Sequence, residues 1–145
     1  MYKVLLVDDE YMVTEGLKRL IPFEKWDMQV VATASHADDA LDYVKENPVD
    51  VIISDVNMPD KTGLEMIKEM KEILPDAYYI LLSGYQEFDY VKKAMNLSVV
   101  DYLVKPVDKV ELSHLLEKIA SQLQEKVEQS QTLSKNWMKT ALSTS

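Results

Sequence analysis

Apolar positions along the chain fall into five short runs, separated by stretches in which they recur every three or four residues. The runs Lys3 to Val7, Gln29 to Thr33, Val49 to Ser54, Tyr78 to Leu82 and Val99 to Val104 read as strands. The stretches Tyr11 to Leu20, Ala37 to Glu46, Gly63 to Ile73, Phe88 to Met95 and Lys109 to Leu123 read as helices. Strict alternation of the two predicts repeated βα units and a parallel sheet with right-handed crossovers. The first, third and fourth strands are almost continuous in Val, Ile and Leu, so helices should cover both faces of the sheet. Proline marks the ends: Asn47-Pro48 and Leu74-Pro75-Asp76 close the second and third helices, and Lys105-Pro106 closes the last strand.

From about Ser121 the composition shifts to Gln, Ser, Thr and Lys, with no Gly or Pro up to Ser145. Leu112, Leu116, Ile119, Leu123 and Val127 keep helical spacing across that boundary. Two outcomes are open. Either the last helix projects past the domain as a stalk that seeks a partner, or Leu112 to Ile119 packs on the sheet and the remainder frays. Leu133, Trp137 and Met138 would be odd residues to leave in water. The expected division is a domain over 1–124 followed by a helical linker or disordered tail over 125–145.

A chain of 145 residues holds one domain with a sizeable core, and 47% apolar with 28% charged residues suits a water-soluble protein. No run approaches the roughly 18 apolar residues that a membrane span needs, so the cytoplasm is the expected location. Cysteine is absent, which removes disulfides, thiolate metal sites and cysteine nucleophiles together. His36 and His114 stand apart without metal-ligand spacing and read as ordinary surface or packing residues. The net charge of -9 should repel nucleic acid, so contact with DNA would have to come from a segment outside this chain.

Chemistry gathers at the strand ends. Asp8-Asp9 follows the first strand, Asp55 ends the third, Ser83 ends the fourth, and Lys105 ends the fifth. Parallel strands would bring these positions to one edge, the usual ligand-binding edge of an open α/β sheet. Asp8-Asp9 alone could be no more than a helix start, since acids favour that end of a helix. Joined to Asp55, the pair becomes a carboxylate cluster that demands a counter-ion, and hard oxygen ligands of this kind suit Mg²⁺. A metal site, a carboxylate, a hydroxyl and an ammonium are the parts of phosphoryl transfer, with Asp55 as nucleophile.

These residues, in this order over about Met1 to Gln124, resemble the receiver domain of two-component response regulators. The resemblance implies a doubly wound five-stranded parallel sheet of flavodoxin/CheY-like order 2-1-3-4-5 with five helices. It implies that Asp9 and Asp55 ligate Mg²⁺, that Asp8 holds a metal water, and that Asn57 offers its backbone carbonyl. Asp55 would be the phosphorylated residue, Lys105 would bind a phosphoryl oxygen, and the Lys105–Pro106 bond would be cis. Ser83 and Tyr102 would be the switch pair; without the resemblance, Tyr102 is an edge-strand tyrosine packed on the last helix. A sensor histidine kinase would be the partner. Phosphorylation would alter the face of the fourth helix, fifth strand and fifth helix, where Phe88, Tyr90, Val91 and Met95 stand near Lys109 and Leu112, and so drive formation of a homodimer.

Ser83 to Tyr90 and Asp101 to Pro106 resemble receivers joined to AraC-type helix-turn-helix output domains, which makes the tail the start of an interdomain linker. Ser98-Val99-Val100 departs from the Gly-Ala that many receivers carry there, and Tyr85 is bulky enough to shield a phosphorylated aspartate from water. Three rivals read differently. A Mg²⁺-dependent aspartate phosphatase needs a second acid where Asn57 stands. A flavin binder needs a Ser, Thr and Gly loop in place of Asp8-Asp9-Glu10. A degenerate receiver that only docks proteins would not need the intact acid and lysine set. The reading is therefore a signalling switch, not a turnover enzyme.

Overall fold

The computed structural model describes residues 1–84 and 101–143, with the side chains of the last helix described as far as residue 129. Five strands, β1 (Tyr2–Val7), β2 (Met28–Ala34), β3 (Val51–Asp55), β4 (Tyr78–Ser83) and β5 (Asp101–Val104), form one sheet. Its order is β2-β1-β3-β4-β5 and every pairing is parallel. This is the doubly wound sheet that the sequence predicts. The helices are α1 (Tyr11–Leu20), α2 (Ala37–Glu46), α3 (Gly63–Ile73) and α4 (Lys109–Ser143). Among the described residues there are thus four α-helices against an expected five. The predicted helix Phe88 to Met95 lies outside the described residues, as do Tyr85 and Ser98 to Val100.

Period-two alternation splits the core into two layers. On one face Leu5, Val7, Ile52, Tyr79 and Leu81 pack with Ala40 and Val44 of α2 and Met66, Ile67 and Met70 of α3. On the other, Val4, Leu6, Val51, Ile53, Ile80 and Leu82 pack with Leu17 of α1 and Leu112, Leu116 and Ile119 of α4. Both faces of β1 from Val4 on, and of β3 and β4, are dry as a result, which is why these stretches lack the apolar and polar alternation of a half-exposed strand.

The ends of the elements follow local chemistry. Thr62 caps α3 by accepting the Glu65 backbone N–H at 3.1 Å, and α3 stops at Ile73, ahead of Pro75. A 3₁₀ turn over Phe23–Trp26, which the sequence pattern did not signal, joins α1 to β2 and ends on Asp27 at φ 57°. Its purpose in packing is plain: Phe23 is buried in the α1 layer. Helix α4 runs about twenty residues beyond the expected end at Leu123. Its second half holds no Gly or Pro that would break a helix, and its Gln, Lys, Leu, Met and Ala residues have high helix propensity. No helix among the described residues is long and apolar enough to cross a membrane.

Candidate functional site

Parallel register carries the carboxyl ends of the strands to one edge. Val7 pairs with Ser54, Asp55 with Leu82, and Ser83 with Val104, so the residues just beyond each strand meet at that edge. Main-chain bonds tie it together: Asp8 N–H donates to the Ala34 carbonyl at 3.0 Å, Val56 N–H to Leu82 at 3.0 Å, and Lys105 N–H to Ser83 at 2.7 Å. The Lys105–Pro106 bond is cis.

Lys105 is the centre of the charge arrangement. Its Nζ lies 3.0 Å from Asp8 Oδ2, 3.3 Å from Asp55 Oδ1 and 3.9 Å from Glu10 Oε1. Asp8 and Asp55 are buried, while Asp9 and Glu10 face water. One carboxylate oxygen from each of Asp8, Asp9 and Glu10 falls within a sphere in which all are at most 4.8 Å apart. Such a set of hard oxygens suits a divalent cation, and the donor chemistry therefore fits Mg²⁺.

Glu10 is not among the metal ligands expected from the sequence, although it continues the Asp8-Asp9 run. Its backbone N–H donates to Asp8 Oδ1 at 2.9 Å, which turns the chain so that three consecutive acids crowd together. Asp55 meets this cluster through Lys105.

Burial raises the pKa of Asp55, and the nearby Asp8 charge raises it further; Lys105 and a backbone hydrogen bond from Asn57 oppose both without cancelling them. For Lys105, burial works against the charge, but the hydrogen bond to Asp8 and the attraction of Asp55 outweigh it and hold its pKa above the usual lysine value. An acid that resists ionisation beside a cation that resists losing its proton is a pocket prepared to trade this ion pair for another cation and a new anion.

The remaining predicted residues are placed as follows. Ser83 is buried at the end of β4. Asn57 lies two residues past Asp55 and forms an isolated bridge with Thr62 across the loop. Tyr102 is half-buried on β5, packs on the sheet layer that faces α2 and α3, and also lines a surface cleft with Glu111 and His114 of α4. Lys109 and Leu112 open α4, with Leu112 fully buried; the Phe88 to Met95 part of the expected face is outside the described residues.

A doubly wound sheet with an acid cluster and a lysine at its carboxyl edge defines a class of domain rather than one protein. Within that class, the sequence model of the response regulator receiver domain matches residues 4–117, and the chain belongs to that family. An uncharacterised response regulatory protein of Staphylococcus epidermidis is 36% identical over 126 residues, covering 87% of this chain and 49% of the relative. The transcriptional regulatory protein HptR of Staphylococcus aureus is 33% identical over 129 residues, covering 89% of this chain and 50% of HptR. The chain thus spans about half the length of these curated relatives. Among solved structures, the REC domain of AraT, a response regulator from Geobacillus stearothermophilus, superposes with a TM-score of 0.82 at 37% identity, covering 86% of this chain and 97% of that one.

Proposed function

We propose that Asp55 accepts a phosphoryl group from a sensor histidine kinase and that this chain works as a phosphorylation switch, not as a turnover enzyme. The observation that carries the reading is the placement of Lys105 Nζ between Asp8 and Asp55, at 3.0 and 3.3 Å, with Asp9 and Glu10 beside them. An Asp55 carboxylate oxygen attacks the phosphorus of a phosphohistidine, the P–N bond breaks, and its electron pair returns to the imidazole nitrogen. Asp8, Asp9, Asp55 and the Asn57 carbonyl would hold Mg²⁺, which when bound neutralises charge on the phosphoryl oxygens. Lys105 binds one of those oxygens, and the Ser83 hydroxyl approaches another. Little covalent machinery is required, because positioning and charge account for most of the barrier.

Phosphorylation adds nearly two negative charges in a pocket already crowded with acids. Movement of Ser83 and Tyr102 toward the new group biases the surface of β5 and α4, together with the segment around Phe88 to Met95, toward a homodimer. Relatives twice this length, one of them named a transcriptional regulatory protein, support an output domain beyond residues 125–145 that would bind DNA. The likeness to a two-component transcriptional regulator AraC from Clostridium phytofermentans, at a TM-score of 0.80 and 26% identity, favours an AraC-type helix-turn-helix there. Such a regulator would work in the cytoplasm.

The test is incubation with acetyl phosphate and Mg²⁺ followed by intact mass measurement. The wild type should gain one phosphoryl group, and the Asp55→Ala variant none. Absence of a gain on the wild type, or an equal gain on both, overturns the reading.

A further inference from the structure

Helix α2 begins without a cap of its own. His36 occupies the N-cap position and makes no capping hydrogen bond with its side chain. The missing acceptor comes from far along the chain: Asp60 takes the Ala37 N–H on Oδ1 at 3.0 Å and the Asp38 N–H on Oδ2 at 2.8 Å. A carboxylate on two N–H groups at a helix N-terminus combines charge-assisted hydrogen bonds with a favourable helix dipole. Lys61 adds a second tie, reaching Asp38 of α2 at 3.1 Å and Glu69 of α3 at 2.8 Å.

Asp60 sits at the tip of the loop that leaves Asp55. The base of that loop is closed tightly, because the Gly63 N–H donates to the Val56 carbonyl at 2.6 Å and a Cβ on Gly63 would collide with the Asp55 carbonyl oxygen. Asn57 and Thr62 bridge just above. Between the bridge and the tip the described bonds to the rest of the domain are those of Asp60 and Lys61.

We propose that Asp60 is a positioning residue for the phosphoacceptor site: by capping α2 from a distance it fixes the loop 57–62, and with it the Asn57 backbone beside Asp55, in the cation-binding arrangement. This rests on the proposed Mg²⁺-dependent role of Asp55. Without the staple the loop samples other positions, and apparent cation affinity falls in proportion to the competent fraction.

The test uses Asp60→Ala, Asp60→Asn and Lys61→Met, the last removing the ion pairs while leaving the cap. In cation-free protein, amide exchange at Ala37 and Asp38 should be protected in the wild type and in Lys61→Met, protected at only one of the two in Asp60→Asn, whose amide keeps a single acceptor oxygen, and unprotected in Asp60→Ala. Mg²⁺ titration followed by amide chemical shifts should show about fivefold to tenfold weaker binding for Asp60→Ala, the loss expected for one helix cap, with Asp60→Asn, which keeps one of the two acceptors, lying between it and the wild type. Unchanged affinity in a folded Asp60→Ala, or protection that survives the substitution, overturns the proposal. If Asp60→Ala fails to fold, the wild type against Asp60→Ser gives the same contrast, since the shorter hydroxyl cannot span two N–H groups. A wild type that binds no Mg²⁺ refutes the phosphoacceptor reading instead, and the exchange data then decide the staple separately.

Discussion

Lys105 Nζ stands 3.0 Å from Asp8 Oδ2, across 97 positions of sequence, and the same ammonium lies 3.3 Å from Asp55. The cation therefore holds together two buried carboxylates that would otherwise repel each other. Replacing Lys105 with Met should destabilise the cation-free protein by about 2 kcal/mol, the scale for leaving a buried charged group unpaired. Millimolar Mg²⁺ should restore much of that loss, since a divalent ion answers the same charges. Urea unfolding of both proteins with and without Mg²⁺ measures this; equal destabilisation in both conditions would show that the lysine acts by packing alone.

Asp55 supplies a dependence on pH. Its folded pKa is raised above the ordinary 3.8, chiefly by burial and then by Asp8. A carboxyl with a raised folded pKa favours the folded state below the unfolded value, and that contribution disappears as pH rises through the folded value. Asp55→Asn removes the ionisation and should be more stable than the wild type at neutral pH, with the gain shrinking as pH falls toward 3.8. Urea midpoints collected against pH follow the difference. A gain that stays constant over the whole range would assign it to shape rather than charge.

Two glycines make an internal comparison. Gly63 opens α3 against the Asp55 main chain, where an added Cβ meets the carbonyl oxygen; Gly16 lies within α1 with nothing inside 4 Å of the same atom. Neither has a positive φ, so space alone separates them. Gly63→Ala should cost about 1–3 kcal/mol and disturb Asp55, as overpacking does. Gly16→Ala should stabilise by about 0.5–1 kcal/mol, because alanine loses less freedom in a helix. Thermal unfolding of the pair gives both signs, and matching signs would refute the distinction.

Much of this architecture was legible in the residues. Three helices were predicted with the bounds they have, because apolar spacing marks each of them and Pro48 and Pro75 follow the ends of the second and third. The acids and the lysine could be brought together in advance, since parallel strands leave no other place for their carboxyl ends. What stayed hidden depends on tertiary contact. Glu10 joins the acids through a turn that Asp8 creates, and Asp60 meets α2 more than twenty positions away. The run of α4 past Leu123 to Ser143 is one of the two outcomes that the residues left open, because apolar spacing weakens there while nothing in the segment breaks a helix.

The point at which α4 leaves the sheet is itself testable. Among the described side chains of the helix, Leu123 is the last that is buried in the core, and one turn later Lys126 Nζ lies 4.9 Å from the centroid of the Tyr78 ring. Tyr78 starts β4, so this contact anchors the helix to the amino edge of the sheet, opposite the acid pocket. Beyond it, Val127 is exposed. An exposed lysine over an aromatic ring contributes roughly 0.5–1 kcal/mol. Lys126→Gln should accordingly lower stability by no more than that, yet quicken amide exchange from residue 124 onward, because fraying begins where the last tie is lost. Lys126→Arg should keep both properties near wild type. Exchange rates along α4 that do not differ among the three proteins would show that the helix needs no anchor at Tyr78 and is held by its own backbone bonds.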